Sequence, residues 1–188
     1  HPCRGRVRPL HEAFSPESDE SAGFGYLGLC VDDFLIASDD PCTNAARDKF
    51  LAAWKTTDTP TVNFGGGLSI EYLSVNTTAD KDGWFLDQAV YCQDLLSKWS
   101  MDECRAVGSL EDVHTQIDEE AEQEPDPGEV RTAQRLAGGL NWFATRTRPD
   151  ISFVVSQLSS AATRAPIRAI ALGKKCLRYL AGTWGHGI

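Results

Sequence analysis

The sequence predicts an α+β fold, and three features of its 188 residues carry that prediction. Short β-type apolar runs bounded by turn residues occupy much of the first half, and apolar residues at helical spacing dominate the last third. Between them, from Glu111 to Glu129, lie nine acids and no base. A hydrophobic content of 41% can supply a core, and 24% charged residues without inflated Gly or Pro exclude collagen-like and wholly disordered chains. No apolar run approaches the roughly 20 residues of a membrane-spanning helix.

Residues 1–22 are polar, lack periodicity and receive no structure. In GFGYLGLCVDDFLIASDD, two apolar runs flank an acidic pair, the layout of a β-hairpin with Asp32 and Asp33 near its tip. Asp40-Pro41 ends the second strand. Ala46, Phe50, Leu51 and Trp54 then recur at helical spacing, which predicts a helix over 43–54 capped by Thr43. Residues 61–86 alternate β-type runs with Gly65-Gly66-Gly67 and Asp82-Gly83, giving two or three antiparallel strands. Asp87 opens a helix whose Ala89, Cys92, Leu96 and Trp99 form one buried face.

The acid run implies a flexible linker, because like charges repel and little is apolar. The chain therefore divides into an irregular segment 1–22, an α+β segment 23–107, a linker 108–129 and a helical segment 130–188. Three helices follow, over 130–145, 150–163 and 167–181, separated by Arg148-Pro149 and Ala165-Pro166. Ile151, Val154, Val155 and Leu158 give the middle one a clear apolar line. Gly138-Gly139 lies inside the first, at about 1 kcal/mol per Gly against Ala, and implies a close helix contact. Gly182 ends the last.

The net charge of −9 hides a division along the chain. Residues 1–9 carry three Arg and no acid, 10–130 carry 26 acids against six bases, and 131–188 carry nine bases against Asp150 alone. The last third is thus suited to phosphate, or else is a basic solvated surface on an acidic protein. At 100° per residue, Arg168, Lys174, Lys175 and Arg178 fall within about 120° of one helix face, with Ile170, Leu177 and Leu180 opposite. Arg148 and Asp150 are expected to pair locally at a helix start.

Six cysteines without a C-x-x-C pair, and four His not spaced with them as ligands, give no zinc site. They are expected to be small apolar core residues in a reducing compartment. The opening HPCRGRVRPL lacks a signal-peptide core, and the chain starts at His, so part of a longer chain is expected. Two adjacent carboxylates at a hairpin tip are unfavourable without a positive partner, and a divalent cation is a common one. The apolar flanks LGLCV and FLIAS imply that the acids project from a buried sheet.

CVDDFLIAS resembles the YVDD box of reverse transcriptases, with Cys30 in place of the usual Tyr. Three further segments match the copia-type retrotransposon Pol polyprotein in order: FLDQAVYCQDLLSKWSM, GGLNWFATRTRPDISFVVSQLSSA and GKKCLRYLAGT. The resemblance covers residues 24–183. It implies the C-terminal part of the reverse transcriptase domain: partial palm, then a helical thumb or connection segment preceding an RNase H domain. Asp32 and Asp33 would be catalytic and would help hold two Mg²⁺ ions, with Mn²⁺ as an alternative, for two-metal nucleotidyl transfer. Cys30 and Val31 would lie near the primer terminus or incoming nucleotide. The implied partners are template–primer, dNTPs and the remaining polyprotein, including fingers, upstream palm, RNase H and integrase. The implied location is intracellular, cytoplasmic in a virus-like particle or nuclear.

Two departures qualify the match. Only 29 residues precede Cys30, so the family's upstream palm Asp and its triphosphate-gripping fingers are not expected here, and the chain alone should be inactive. IEYLSV stands where the family has a Phe-Leu-Gly primer-contacting turn, and Tyr72-Leu73-Ser74 lacks the Gly. A second reading is a non-catalytic nucleic-acid-binding or interaction remnant of a decayed element. A two-metal nuclease would need a further carboxylate motif, which the sequence does not offer.

Overall fold

The computed structural model describes residues 25–30, 33–38, 41–54, 69–79, 81–110 and 124–188. The architecture is mixed α+β, as expected, in two compact units, His1–Thr61 and Val62–Ile188.

In the first unit, β1 (Gly25–Cys30) and β2 (Asp33–Ser38) form an antiparallel hairpin, and α1 (Pro41–Ala53) follows. The helix begins two residues before the expected Thr43, with Pro41 at its first position, where a missing N–H costs nothing. Phe34 of β2 meets Phe50 of α1 with ring centroids 5.6 Å apart, and Phe50 stacks on Trp54 at 5.0 Å. The expected burial of the hairpin is not found among the described residues: Tyr26, Leu27, Leu29 and Phe34 are all exposed. Two strands have two faces, and one short helix covers part of one.

The second unit opens with a three-stranded antiparallel sheet, β3 (Ser69–Tyr72), β4 (Val75–Ala79) and β5 (Trp84–Asp87). Tyr72 pairs with Val75, leaving Leu73 and Ser74 as a two-residue turn with φ of 53° and 59°. A hairpin turn with two positive φ values favours Asn-Gly, so the Gly missing from this segment is missing where the backbone would use it. On the other edge, Ile188 exchanges two backbone hydrogen bonds with Leu86 of β5, at 2.7 and 3.0 Å.

Helix α2 (Ala89–Lys98) starts two residues after Asp87, which stays in β5. The buried Asp87 carboxylate accepts hydrogen bonds from the Ala89 N–H at 2.9 Å and the Asn76 side-chain amide at 3.0 Å. It thereby ties β4 to the helix start. The C-terminus closes with Ser100 at φ 53° and its N–H donating to the Ser97 carbonyl, while Met101 N–H donates to that of Leu96. This is a Schellman closure with Ser in the usual Gly position.

Helices α3 (Pro127–Ala144), α4 (Ser152–Ala161) and α5 (Pro166–Gly182) pack on one another, and a 3₁₀ turn, Pro149–Ile151, leads into α4. The last residues of the expected linker form the first turn of α3: Asp126 accepts the Glu129 N–H at 3.0 Å and Pro127 follows it. Leu95, Leu96 and Cys92 of α2 share one buried cluster with Leu136, Leu140, Phe143, Leu158, Leu177 and Leu180. The expected division at 108–129 thus falls inside the second unit, because α2 requires α3 and α5 to bury its apolar face. Cys92 and Cys176 are core residues, whereas Cys30 is exposed and Cys104 is half-buried. Burial pushes the Cys92 and Cys176 thiols up, to about 11 and about 12.

The two glycines of α3 divide in role. A Cβ on Gly139 would come within 3.0 Å of Leu95 Cδ1, so the expected helix contact is there, but one on Gly138 would meet nothing within 4 Å. The tightest crossing is instead at Gly173 of α5, where a Cβ would overlap Leu136 Cδ2, approach its Cγ to 2.7 Å and lie 2.9 Å from Leu158 Cδ1. Gly173→Ala is expected to lower stability by about 1–3 kcal/mol despite the better helix former. Gly138→Ala should raise it by about 0.5–1 kcal/mol. Urea denaturation of both variants checks the contrast.

Candidate functional site

Cys30 pairs with Asp33 across the hairpin, so the connection is the two residues Val31 and Asp32. Both lie outside the described residues, and Asp33 is the described member of the acidic pair. Side chains alternate along a strand, so Asp33 points opposite to Phe34. Because Phe34 carries the contact with α1, Asp33 stands on the face that α1 leaves open, with Cys30, Leu35 and Tyr26. Asp33 is exposed. Among the described residues no three His, Cys, Asp or Glu side chains gather as metal ligands. A carboxylate is a suitable hard donor for Mg²⁺, so Asp33 fits as part of a donor set that the described residues do not complete.

On α5, Lys174 is exposed and Arg168, Lys175 and Arg178 are half-exposed, all on the side away from Ala169, Leu172, Cys176 and Leu180. Ile167, 68% exposed, sits within the basic arc and gives it an apolar centre. Arg178 is partly engaged: its Nε donates to the Arg105 carbonyl at 2.8 Å, and Val107 N–H donates to the Arg178 carbonyl. Sequence spacing could not reveal that bond, which depends on residues 105–107 passing over α5.

Arg148 and Asp150 do pair, as expected, but at the centre of a larger network. The Arg148 side chain is 2% exposed and donates from Nε and Nη2 to the two Asp150 carboxylate oxygens at 2.9 and 2.8 Å. It also reaches the Thr183 carbonyl and hydroxyl, both at 2.8 Å, and lies over the Tyr179 ring. Tyr179 Oη donates to Asp150 at 2.9 Å. Partial burial would raise the Asp150 pKa, but hydrogen bonds from Arg148 and Tyr179 and the Arg148 charge outweigh it and hold the carboxyl below its ordinary range. With each guanidinium nitrogen of Arg148 donating a hydrogen bond, this cluster fastens the end of α5 to the start of α4.

Comparison with known proteins finds similarity to retrotransposon polyproteins. The chain is 28% identical over 165 residues to the retrovirus-related Pol polyprotein from transposon RE1 of Arabidopsis thaliana, covering 87% of this chain and 10% of that protein. It is related to the retrotransposon Pol polyproteins of the copia type. The Pol polyprotein from transposon RE2 of the same plant is 27% identical over 165 residues, or 11% of its length. An uncharacterized mitochondrial protein of Arabidopsis thaliana is 26% identical over 164 residues, and the chain spans 64% of it. The chain is thus a small part of the length of its Pol relatives. No family model and no solved structure matches it. Among the described residues, no helix is long and apolar enough to cross a membrane.

Proposed function

We propose that this Pol-related chain is a segment of a reverse transcriptase, an RNA-directed DNA polymerase. In this reading its β1–β2 hairpin presents Asp32 and Asp33 toward the reacting groups, and its α5 face contacts template–primer phosphates. The observation that carries the reading is the placement of Asp33 at the first position of β2, on the hairpin face left open by α1, in a chain related to Pol polyproteins.

A two-residue connection between paired strands fixes the carboxylate direction through the ladder, so little entropy is lost when it takes a ligand. Cys30, directly across from Asp33, offers a small side chain where the family has an aromatic ring, leaving more room beside the pair. Bound Mg²⁺ would supply Lewis-acid activation of a primer hydroxyl and charge neutralisation at the triphosphate. The carboxylates of this chain would hold and orient such ions together with donors from the rest of a longer polyprotein. Template–primer, dNTPs and those further polyprotein segments are the proposed partners.

The second reading, a non-catalytic nucleic-acid-binding remnant, is favoured by the separation of the hairpin and α5 into different compact units. It uses α5 alone. Both readings require α5 to bind phosphate, and the full chain is the proper test object because residues 131–188 lack α2 and would expose core. Changing Arg168, Lys174, Lys175 and Arg178 together to Gln should flatten the log–log salt dependence of duplex binding by roughly 3. Gln preserves helix propensity, so circular dichroism should be unchanged. A parental slope in the four-Gln variant would remove α5 from the interface.

A further inference from the structure

We infer that residues 183–188 form a clasp that holds the β3–β5 sheet to the helical bundle in one fixed orientation, with Gly187 as the residue that lets it close. The inference is independent of the proposed function and concerns the 62–188 unit alone. Among the described elements, no strand of the sheet packs broadly against a helix of the bundle. Glu71 and Asn76 of the sheet face Val90 and Asp94 of α2 across a cleft. The covalent attachment is the passage from β5 into α2, and the polar ties gather at that same corner. Asp87 accepts the Ala89 N–H at 2.9 Å, and Gln88 accepts the Thr147 hydroxyl at 3.0 Å. A body held at one corner can pivot about it. A second attachment removes that freedom.

The second attachment starts at the buried Arg148, which donates to the Thr183 carbonyl and hydroxyl, both at 2.8 Å. The Thr183 carbonyl also accepts the His186 N–H at 3.0 Å, which closes a four-residue turn and brings Gly187 onto β5. There the two backbones touch. A Cβ on Gly187 would overlap the Leu86 carbonyl oxygen and come within 2.8 Å of the Phe85 ring, an approach that only Gly permits. Ile188 then exchanges both backbone hydrogen bonds with Leu86, at 2.7 and 3.0 Å, which is the pattern of a hydrogen-bonded antiparallel pair. The Leu86 N–H and C=O therefore point away from β4, on an edge that an uncovered strand would offer to other chains.

Six residues thus run from a guanidinium buried in the bundle to the outer edge of the sheet. With both attachments in place, the Leu73–Ser74 turn and the α5 face keep a fixed spacing.

The test is NMR on the full chain without nucleic acid, so its failure and that of the proposed function are told apart. In the parent, one alignment tensor should fit the residual dipolar couplings of sheet and bundle together, and the Leu86 amide should exchange slowly. Two variants open the clasp by different means. Gly187→Val adds a Cβ that cannot fit against Leu86, and Ile188→Pro removes the donor to the Leu86 carbonyl while leaving Gly187 in place. In both, the Leu86 amide should exchange about tenfold faster. The sheet couplings should then need a tensor of their own with smaller magnitude, while the Leu136, Leu140, Leu158 and Leu177 amides exchange as in the parent. Should Gly187→Val fail to fold, Ile188→Pro alone decides. A single tensor in the variants, with only the Leu86 amide affected, would reduce the tail to a local contact and overturn the clasp. Equal acceleration of the bundle amides would make the tail part of the bundle core, and a fast-exchanging Leu86 amide in the parent would show that the pairing does not hold. Either result would overturn it as well.

Discussion

Replacing Arg148 with Met is expected to lower the stability of the 62–188 unit by about 2–4 kcal/mol, read as a shift of the urea midpoint without a change in slope. The side chain volume is largely kept, so the loss isolates polar contacts. Met removes the donors for both Asp150 oxygens and for the Thr183 carbonyl and hydroxyl. Asp150 remains partly exposed and can recover water, which keeps the loss below that of a fully buried stranded charge. Lys should not rescue the variant, because one ammonium cannot reproduce a fork that spans two elements. Tyr179→Phe, which loses one hydrogen bond to Asp150, should cost about 1 kcal/mol.

The same network sets an acid limb. Asp150 has a folded pKa below its unfolded value, so the unfolded state binds more protons in the interval between them. The stabilisation is fully present above the unfolded value near pH 4, and it is lost as pH falls through the folded one. Asp150→Asn should flatten that limb while lowering stability at neutral pH. The buried thiols give the opposite limb. Cys92 and Cys176 are raised to about 11 and about 12, so their contribution is present below the unfolded thiol value and is lost as pH rises toward those figures.

The parts of the fold legible in the sequence were those set by local spacing. Ile151, Val154, Val155 and Leu158 are all buried on one side of the 3₁₀ turn and α4, because a short helix packed on one side needs that period. The hairpin was legible from its two apolar runs, and the Arg148–Asp150 pair from their proximity in the chain. What escaped depended on distant residues. Thr183 and Tyr179 join the Arg148 network from about thirty residues away, and the Arg105 carbonyl takes up Arg178. The acid run suggested a domain boundary because charge density reports solvation; it does not report which elements share a core, and Leu95 packs across it. Gly173 carries no sequence signal beyond being a Gly in a helix, yet three helices meet there.

The central claim is that the acidic pair of the hairpin serves nucleotidyl transfer. The most direct measurement is templated nucleotide incorporation by the longest Pol chain containing this segment, with Asp32→Asn and Asp33→Asn each compared with the parent. Template–primer affinity is determined in parallel. Asn keeps size and hydrogen bonding and removes the charge that a divalent ion requires. The account predicts that Asp32→Asn abolishes incorporation and that Asp33→Asn reduces it severely. Affinity should stay near parental in both, because in the proposed reading the lost charge serves the ions and α5 contacts the phosphate backbone. Near-parental turnover in Asp32→Asn would contradict the account.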